Sequence, residues 1–134
     1  MVLLDDAFQH RPLECGLNIL LSTYDKLYTD DHLVPYGTLR DLPSRAHKAD
    51  VIVITKCPTT MQPIDMRVVD NKLRLPVFQQ LHFTSMTYPP IDHKGVPPIL
   101  CGTAQPKYLI NHVGSPYPQA LTMTLADQYA YKKA

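Results

Sequence analysis

Residues 1–11 read Met1-Val2-Leu3-Leu4-Asp5-Asp6-Ala7-Phe8-Gln9-His10-Arg11. Four apolar residues running straight into two acids predict a buried parallel strand that delivers carboxylates to the edge of a sheet. Ligands of open parallel sheets bind just beyond the carboxyl ends of the strands, which is where Asp5 and Asp6 would lie. In phosphoryl-transferring α/β folds an acid at that place holds Mg²⁺ against a triphosphate. The phosphate-binding loop G-x-x-x-x-G-K-[ST] that should come before such a strand has no match in these residues. On the residues alone a second meaning stays open: a strand-end turn whose carboxylates accept backbone N–H bonds.

Outward from that stretch, apolar runs of strand length recur. Leu17 to Leu21 follows Gly16, Val51 to Ile54 follows Asp50, and Ile99 to Cys101 leads into Gly102. Continuous runs of this kind suit strands buried on both faces by helices. Val77 to Met86 alternates without a clean polar side and is expected to be a longer strand. Leu39 to Lys48 and Pro63 to Leu75 have helical spacing, the second with a proline in its first turn, and Pro106 to Val113 is a shorter helix candidate. The alternation predicts an α/β fold, a mostly parallel sheet flanked by helices, with a β-rich second half left open. At 134 residues the chain is read as one partial domain, with an internal boundary in the proline-rich loop 88–98.

Composition excludes several classes. A formal charge of +1 without a basic run gives no nucleic-acid surface. Cys15, Cys57 and Cys101 are odd in number and far apart, fitting neither a disulfide framework nor a C-x-x-C metal site. No apolar run approaches the ~18 residues of a membrane span, and no signal peptide is visible. Thirteen prolines against five glycines argue for rigid loops joining short elements. His32 after Asp30-Asp31 imitates a metal set but reads better as a polar loop. Tyr24, Tyr28 and Tyr36 read as surface packing rather than a base-stacking platform.

Three segments then carry a resemblance. Asp5-Asp6-Ala7-Phe8-Gln9-His10-Arg11, Pro35-Tyr36-Gly37-Thr38-Leu39-Arg40-Asp41, and Ala49 to Lys56 occur in the order of successive motifs of the tetraacyldisaccharide 4'-kinase family. Its pattern runs L-L-D-D-x-F-Q-H-R, then P-x-G-x-L-R-[ED]-P, then a strand ending in N-K or T-K. Cys101-Gly102-Thr103-Ala104-Gln105-Pro106-Lys107 resembles the family's G-I-A-x-P segment. The first match is specific; the others persuade as an ordered set.

The resemblance implies a truncated kinase fold of the phosphate-loop type and a middle-to-late part of an enzyme that moves the ATP γ-phosphate to the 4'-hydroxyl of a lipid A precursor disaccharide. It implies Asp5 and Asp6 as metal ligands and Asp6, His10 and Asp127 as catalytic residues. Gln9, Arg11 and Arg40 become phosphate or substrate ligands, since a guanidinium reads phosphate bidentately. Mg²⁺ and ATP are its cofactors in the complete enzyme, with neither expected to bind tightly to this chain. The complete enzyme would work at the cytoplasmic face of the bacterial inner membrane, meeting that surface through segments outside these residues. Self-association through an exposed strand edge is expected of the chain alone.

The sequence departs from the family at Gln128, where a histidine is usual, and glutamine does not titrate near neutral pH. The chain is expected to be inactive alone, because it lacks the phosphate-binding loop that would hold the β- and γ-phosphates. The competing reading is a non-catalytic α/β interaction or regulatory module on the same scaffold.

Overall fold

Val51-Ile52-Val53-Ile54-Thr55 is the most β-branched run in the chain, and β-branched side chains suit a pleated, packed surface. In the computed structural model this run lies in the central strand of a three-stranded parallel sheet. The structure describes residues 1–10, 12–89, 95–96, 98–102 and 106–125, divided into two compact units, Met1–Met86 and Thr87–Ala134.

In the first unit β1 (Ile19–Thr23), β2 (Val51–Cys57) and β3 (Gln80–Ser85) pair in the order β1-β2-β3. A six-residue 3-10 helix, Pro43–Lys48, precedes β2, and α1 (Pro63–Leu73) joins β2 to β3. Parallel neighbours need such crossovers, since a hairpin cannot join them. The register sets Leu20, Ile52 and Leu81 in one row and Ile54 beside Ser22 and Phe83 in another. These rows face the core, where Ile52 and Ile54 are fully buried with Leu27, Ala49, Cys57, Val69 and Leu73. Ser22, the buried polar member, takes the backbone N–H of Tyr28 on its Oγ at 3.0 Å.

Helix α1 starts where the sequence predicts. Pro63 occupies the first turn, and Asp65 reaches back to the backbone N–H of Gln62 at 2.9 Å. It ends at Arg74 in the left-handed region, φ 50°, rather than running on to Leu75. Gln79 Nε2 donates to Ala46 O at 2.7 Å and to Ala49 O at 2.6 Å, tying the 3-10 helix to the start of β3.

Four expectations are corrected. Met1 to Leu4 forms no strand and is exposed; an apolar run becomes a buried strand only where neighbours pair with it on the sheet. The strand expected over Leu17 to Leu21 begins two residues later, because Asp50 Oδ2 receives Asn18 N at 2.8 Å and fixes where pairing starts. The helix expected over Leu39 to Lys48 shrinks to the 3-10 segment after Pro43, whose ring lacks the N–H that a longer helix would use. The sheet is not covered on both faces among the described residues: Ile19 is 50% and Leu21 65% exposed.

The second unit is a smaller β-α-β arrangement. β4 (Ile99–Cys101) and β5 (Thr122–Thr124) pair in parallel, with α2 (Lys107–Gly114) between them. Ile99, Cys101 and Val113 form its core, against which Leu109, Ile110 and Tyr117 pack at helical spacing. His112 Nε2 lies 3.2 Å from Pro89 O, its ring 5.0 Å from that of Tyr88. Among the described residues no helix is long and apolar enough to cross a membrane.

Candidate functional site

The free edge of β1 in the first unit borders an open cleft of about 1170 Å³. The turn after Leu4 forms one wall, and the segment Thr38 to Arg45 forms the other. On the first wall His10 N donates to Ala7 O at 2.9 Å, and Gln9 Nε2 donates to Asp6 O at 2.9 Å. Asp6 has φ 50°, a conformation that non-glycine residues seldom adopt but aspartate tolerates better than most. The Gln9 bond and the contact described next hold it there.

From the opposite wall Arg40 grips Asp6 with both terminal nitrogens. Nη1 donates to Oδ2 at 2.9 Å, and Nη2 makes a short bond to Oδ1. Both side chains are more than half exposed, at 57% for Arg40 and 63% for Asp6. The Arg40 guanidinium holds the Asp6 carboxyl below the ordinary carboxylate range, against a smaller opposing effect of desolvation, with Gln9 and His10 adding to the lowering. Asp6 in turn raises the pKa of Arg40.

One turn further on, Asp41 Oδ2 and Arg45 Nε stand 3.1 Å apart, mostly covered, as an i,i+4 ion pair that lacks the alignment of a hydrogen bond. The other Asp41 oxygen accepts Leu42 N at 2.9 Å at the entrance to the 3-10 helix. The two walls thus set Asp6 and Asp41 each against a guanidinium group, with Asp5 beside Asp6.

This arrangement bears directly on what the cleft can hold. A fork-shaped guanidinium that fits a carboxylate also fits two phosphate oxygens, so Asp6 occupies the place a phosphate would take on Arg40. A divalent cation fares worse. Hard cations need free oxygens in a convergent set. Both Asp6 oxygens face Arg40, and among the described residues no three His, Cys, Asp or Glu side chains gather around a point. While it holds Arg40, Asp6 as placed offers Mg²⁺ no free oxygen.

The structure therefore brings together Asp5, Asp6, Gln9, His10 and Arg40 around one cleft. Arg11, Asp127 and Gln128 lie outside the described residues. Sequence reasoning passed over Asp41 and Arg45, whose i,i+4 spacing was the available signal. It also passed over Asp31, read as part of a polar loop, although its side chain is only 6% exposed. Among the described residues the other histidines add no second site; His32, His47 and His82 are exposed. Cys15, Cys57 and Cys101 are free, and burial pushes the Cys57 thiol up, so it behaves as a packing group rather than a nucleophile.

Fold and cleft together define an α/β protein with parallel sheets and an arginine paired with a carboxylate at the sheet edge. The chain belongs to the tetraacyldisaccharide-1-P 4'-kinase family, whose model matches residues 1–134. It is 46% identical over 88 residues to the tetraacyldisaccharide 4'-kinase of Bacteroides fragilis strain YCH46, which covers 66% of this chain and 23% of that protein. The enzyme of the same name from Parabacteroides distasonis is 41% identical over 104 residues, 78% of this chain and 27% of its own. That from Porphyromonas gingivalis strain ATCC 33277 is 30% identical over 146 residues, 98% of this chain and 40% of its own. The chain spans between about a quarter and two fifths of the length of these relatives. No solved structure matches it.

Proposed function

We propose that these residues form part of a lipid-sugar kinase that transfers the ATP γ-phosphate to the 4'-hydroxyl of tetraacyldisaccharide 1-phosphate in lipid A biosynthesis. The observation that carries this reading is the family match over residues 1–134. The placement of Arg40 across the cleft from the Asp5-Asp6 turn supports it. Phosphoryl transfer asks little covalent chemistry of a protein and depends on positioning and charge neutralisation. Arg40 is the phosphate ligand, and it engages phosphate by exchanging the Asp6 carboxylate for phosphoryl oxygens. Gln9 shapes the turn that presents Asp6, and His10 lines the same wall. Arg11 and Asp127 complete the expected set. A metal role for Asp6 requires it to leave Arg40 first.

ATP and the acylated disaccharide are the substrates of the complete enzyme, with Mg²⁺ as its expected cofactor and the cytoplasmic face of the inner membrane as its place of work. The 134-residue chain alone transfers nothing, because no phosphate-binding loop lies within it to hold the β- and γ-phosphates. In isolation it self-associates through the exposed β1 edge.

The test uses two proteins: the chain itself, and the Bacteroides fragilis relative with its matching segment replaced by the corresponding residues of this chain. With Mg·ATP and tetraacyldisaccharide 1-phosphate, the chain is expected to show no transfer above background. The chimera is expected to phosphorylate the lipid and to lose that activity on Arg40→Ala. Transfer by the chain alone that Asp6→Ala abolishes, or a folded chimera without activity, would overturn the proposal. The second result would favour a non-catalytic module.

A further inference from the structure

Arg40 leaves a loop that has almost no apolar packing of its own. Leu33 and Val34 are exposed, and Tyr36 is 93% exposed. Hydrophobic burial therefore does not hold this loop, yet a bidentate pair needs its arginine backbone held in place, because a long side chain otherwise samples many rotamers. What holds the loop is polar. Asp31 Oδ1 receives Lys26 Nζ at 2.8 Å and His32 N at 2.7 Å. From the far side of the loop Thr38 N reaches Oδ1 at 3.2 Å, and Thr38 Oγ1 makes a short bond to Oδ2.

Two backbone bonds run alongside, Val34 N to Leu39 O and Leu39 N to His32 O, both 3.0 Å. Gly37 passes so close that a Cβ there would meet Asp31 Oδ1 and His32 O and lie 2.6 Å from His32 N. The base of the loop is anchored in turn. Thr23 Oγ1 at the end of β1 donates to Lys26 O at 3.2 Å, and Lys72 of α1 reaches Asp30 Oδ2 at 2.6 Å.

We infer that Asp31 is a positioning residue: its carboxylate clamps the loop from His32 to Leu39 onto the end of β1 and so aims Arg40 across the cleft. Thr38, its main partner across the loop, stands two residues before Arg40, so the clamp acts next to the residue it positions. Charge-assisted bonds are the strong kind, and Asp31 collects them from both sides of the loop with its side chain almost covered. The same contacts hold its carboxyl well below the ordinary carboxylate range, with Lys26 the largest cause and Thr38 next. The inference rests on the proposed function only for what Arg40 is to bind; the clamp itself stands on geometry.

The experiment reads Arg40 directly in the 134-residue chain, through guanidinium ¹⁵Nε relaxation, with the amide spectrum of β1, β2 and β3 as the check on folding. Asp31→Asn is expected to leave that amide pattern in place while the Arg40 guanidinium loosens to the level seen in Asp6→Ala. An Arg40 as ordered in folded Asp31→Asn as in the unsubstituted chain overturns the inference. Should Asp31→Asn fail to fold, Thr38→Val removes one donor and carries the same test, with the same two outcomes.

A second reading uses inorganic pyrophosphate in the Asp6→Asn background, where nothing competes for Arg40. Adding Asp31→Asn is expected to weaken binding roughly tenfold, since misplacing a binding group by about an ångström is costly. Unchanged affinity overturns the inference. No pyrophosphate binding in either background overturns the phosphate role of Arg40, while the guanidinium signal still decides the clamp.

Discussion

At the scale of single residues, the pairing of Asp6 with Arg40 makes an unusual demand on mutagenesis. Were Asp6 only a ligand for a metal-bound phosphate, its neutralisation would weaken anion binding. As a competitor for Arg40, its neutralisation strengthens it. Asp6→Asn is accordingly expected to bind pyrophosphate without metal roughly two- to five-fold more tightly, a modest factor because exposed ion pairs are weak; isothermal titration checks this, and weaker binding contradicts the exchange. Asp31 yields a pH dependence. Its carboxyl titrates below the ordinary 3.8 in the folded chain. A group depressed on folding contributes stability that is fully present above its unfolded pKa and lost as pH falls toward the folded one. The melting-temperature difference between the unsubstituted chain and Asp31→Asn is thus expected to be constant above about pH 5 and to shrink below about pH 3.8. Neither residue role was legible beforehand. The acids of Asp5-Asp6 and the arginine at 40 were visible as types, but their being each other's partners, 34 positions apart, is a fact of chain path.

At the scale of elements, the strands differ in what their side chains gain. Ile54 is fully buried between Ser22 and Phe83 of the neighbouring strands. Ile54→Ala leaves a cavity in a packed row and is expected to cost about 2–5 kcal/mol. Leu21, on the open face, is expected to change stability by no more than about 0.5 kcal/mol on replacement by alanine. Urea denaturation of both variants checks the contrast, and equal losses would mean that the open face is covered. Gly37→Ala is expected to destabilise by about 1–3 kcal/mol, because the new methyl group must push Asp31 and His32 apart. Helix α1 was legible in where it starts, since a proline in the first turn is a local signal, but not in its buried face: Ile64 and Val68, at helical spacing, are exposed, and Val69 and Leu73 are buried instead. The 3-10 helix was not legible, because its length is set by Pro43 at one end and, at the other, by Gln79 from the distant loop before β3.

At the scale of the whole molecule, the first unit ends its sheet on β1 with Ile19 and Leu21 turned outward. An exposed apolar edge strand offers both unpaired backbone groups and apolar surface to another chain. Sedimentation is expected to show concentration-dependent association that Leu21→Lys suppresses; a clean monomer at high concentration contradicts it. The matched region is a minority of each relative's length, so transfer is assayed in the chimera and the binding and folding measurements above use this chain.

The amino-acid sequence by itself determined the family, through ordered motifs whose residue types survive without any coordinates. It also determined the α/β class, because β-branched runs and helical spacing are properties of neighbours along the chain. Tertiary structure alone decided which apolar runs became buried strands. Met1 to Leu4 is as apolar as β2, yet only β2 has a strand on each side to take its hydrogen bonds and a helix to cover it. Tertiary structure also decided that Asp6 faces Arg40 and that Asp31 is nearly covered. The first depends on chain brought together across 34 positions, the second on one loop folding back on itself within seven, and local composition records neither.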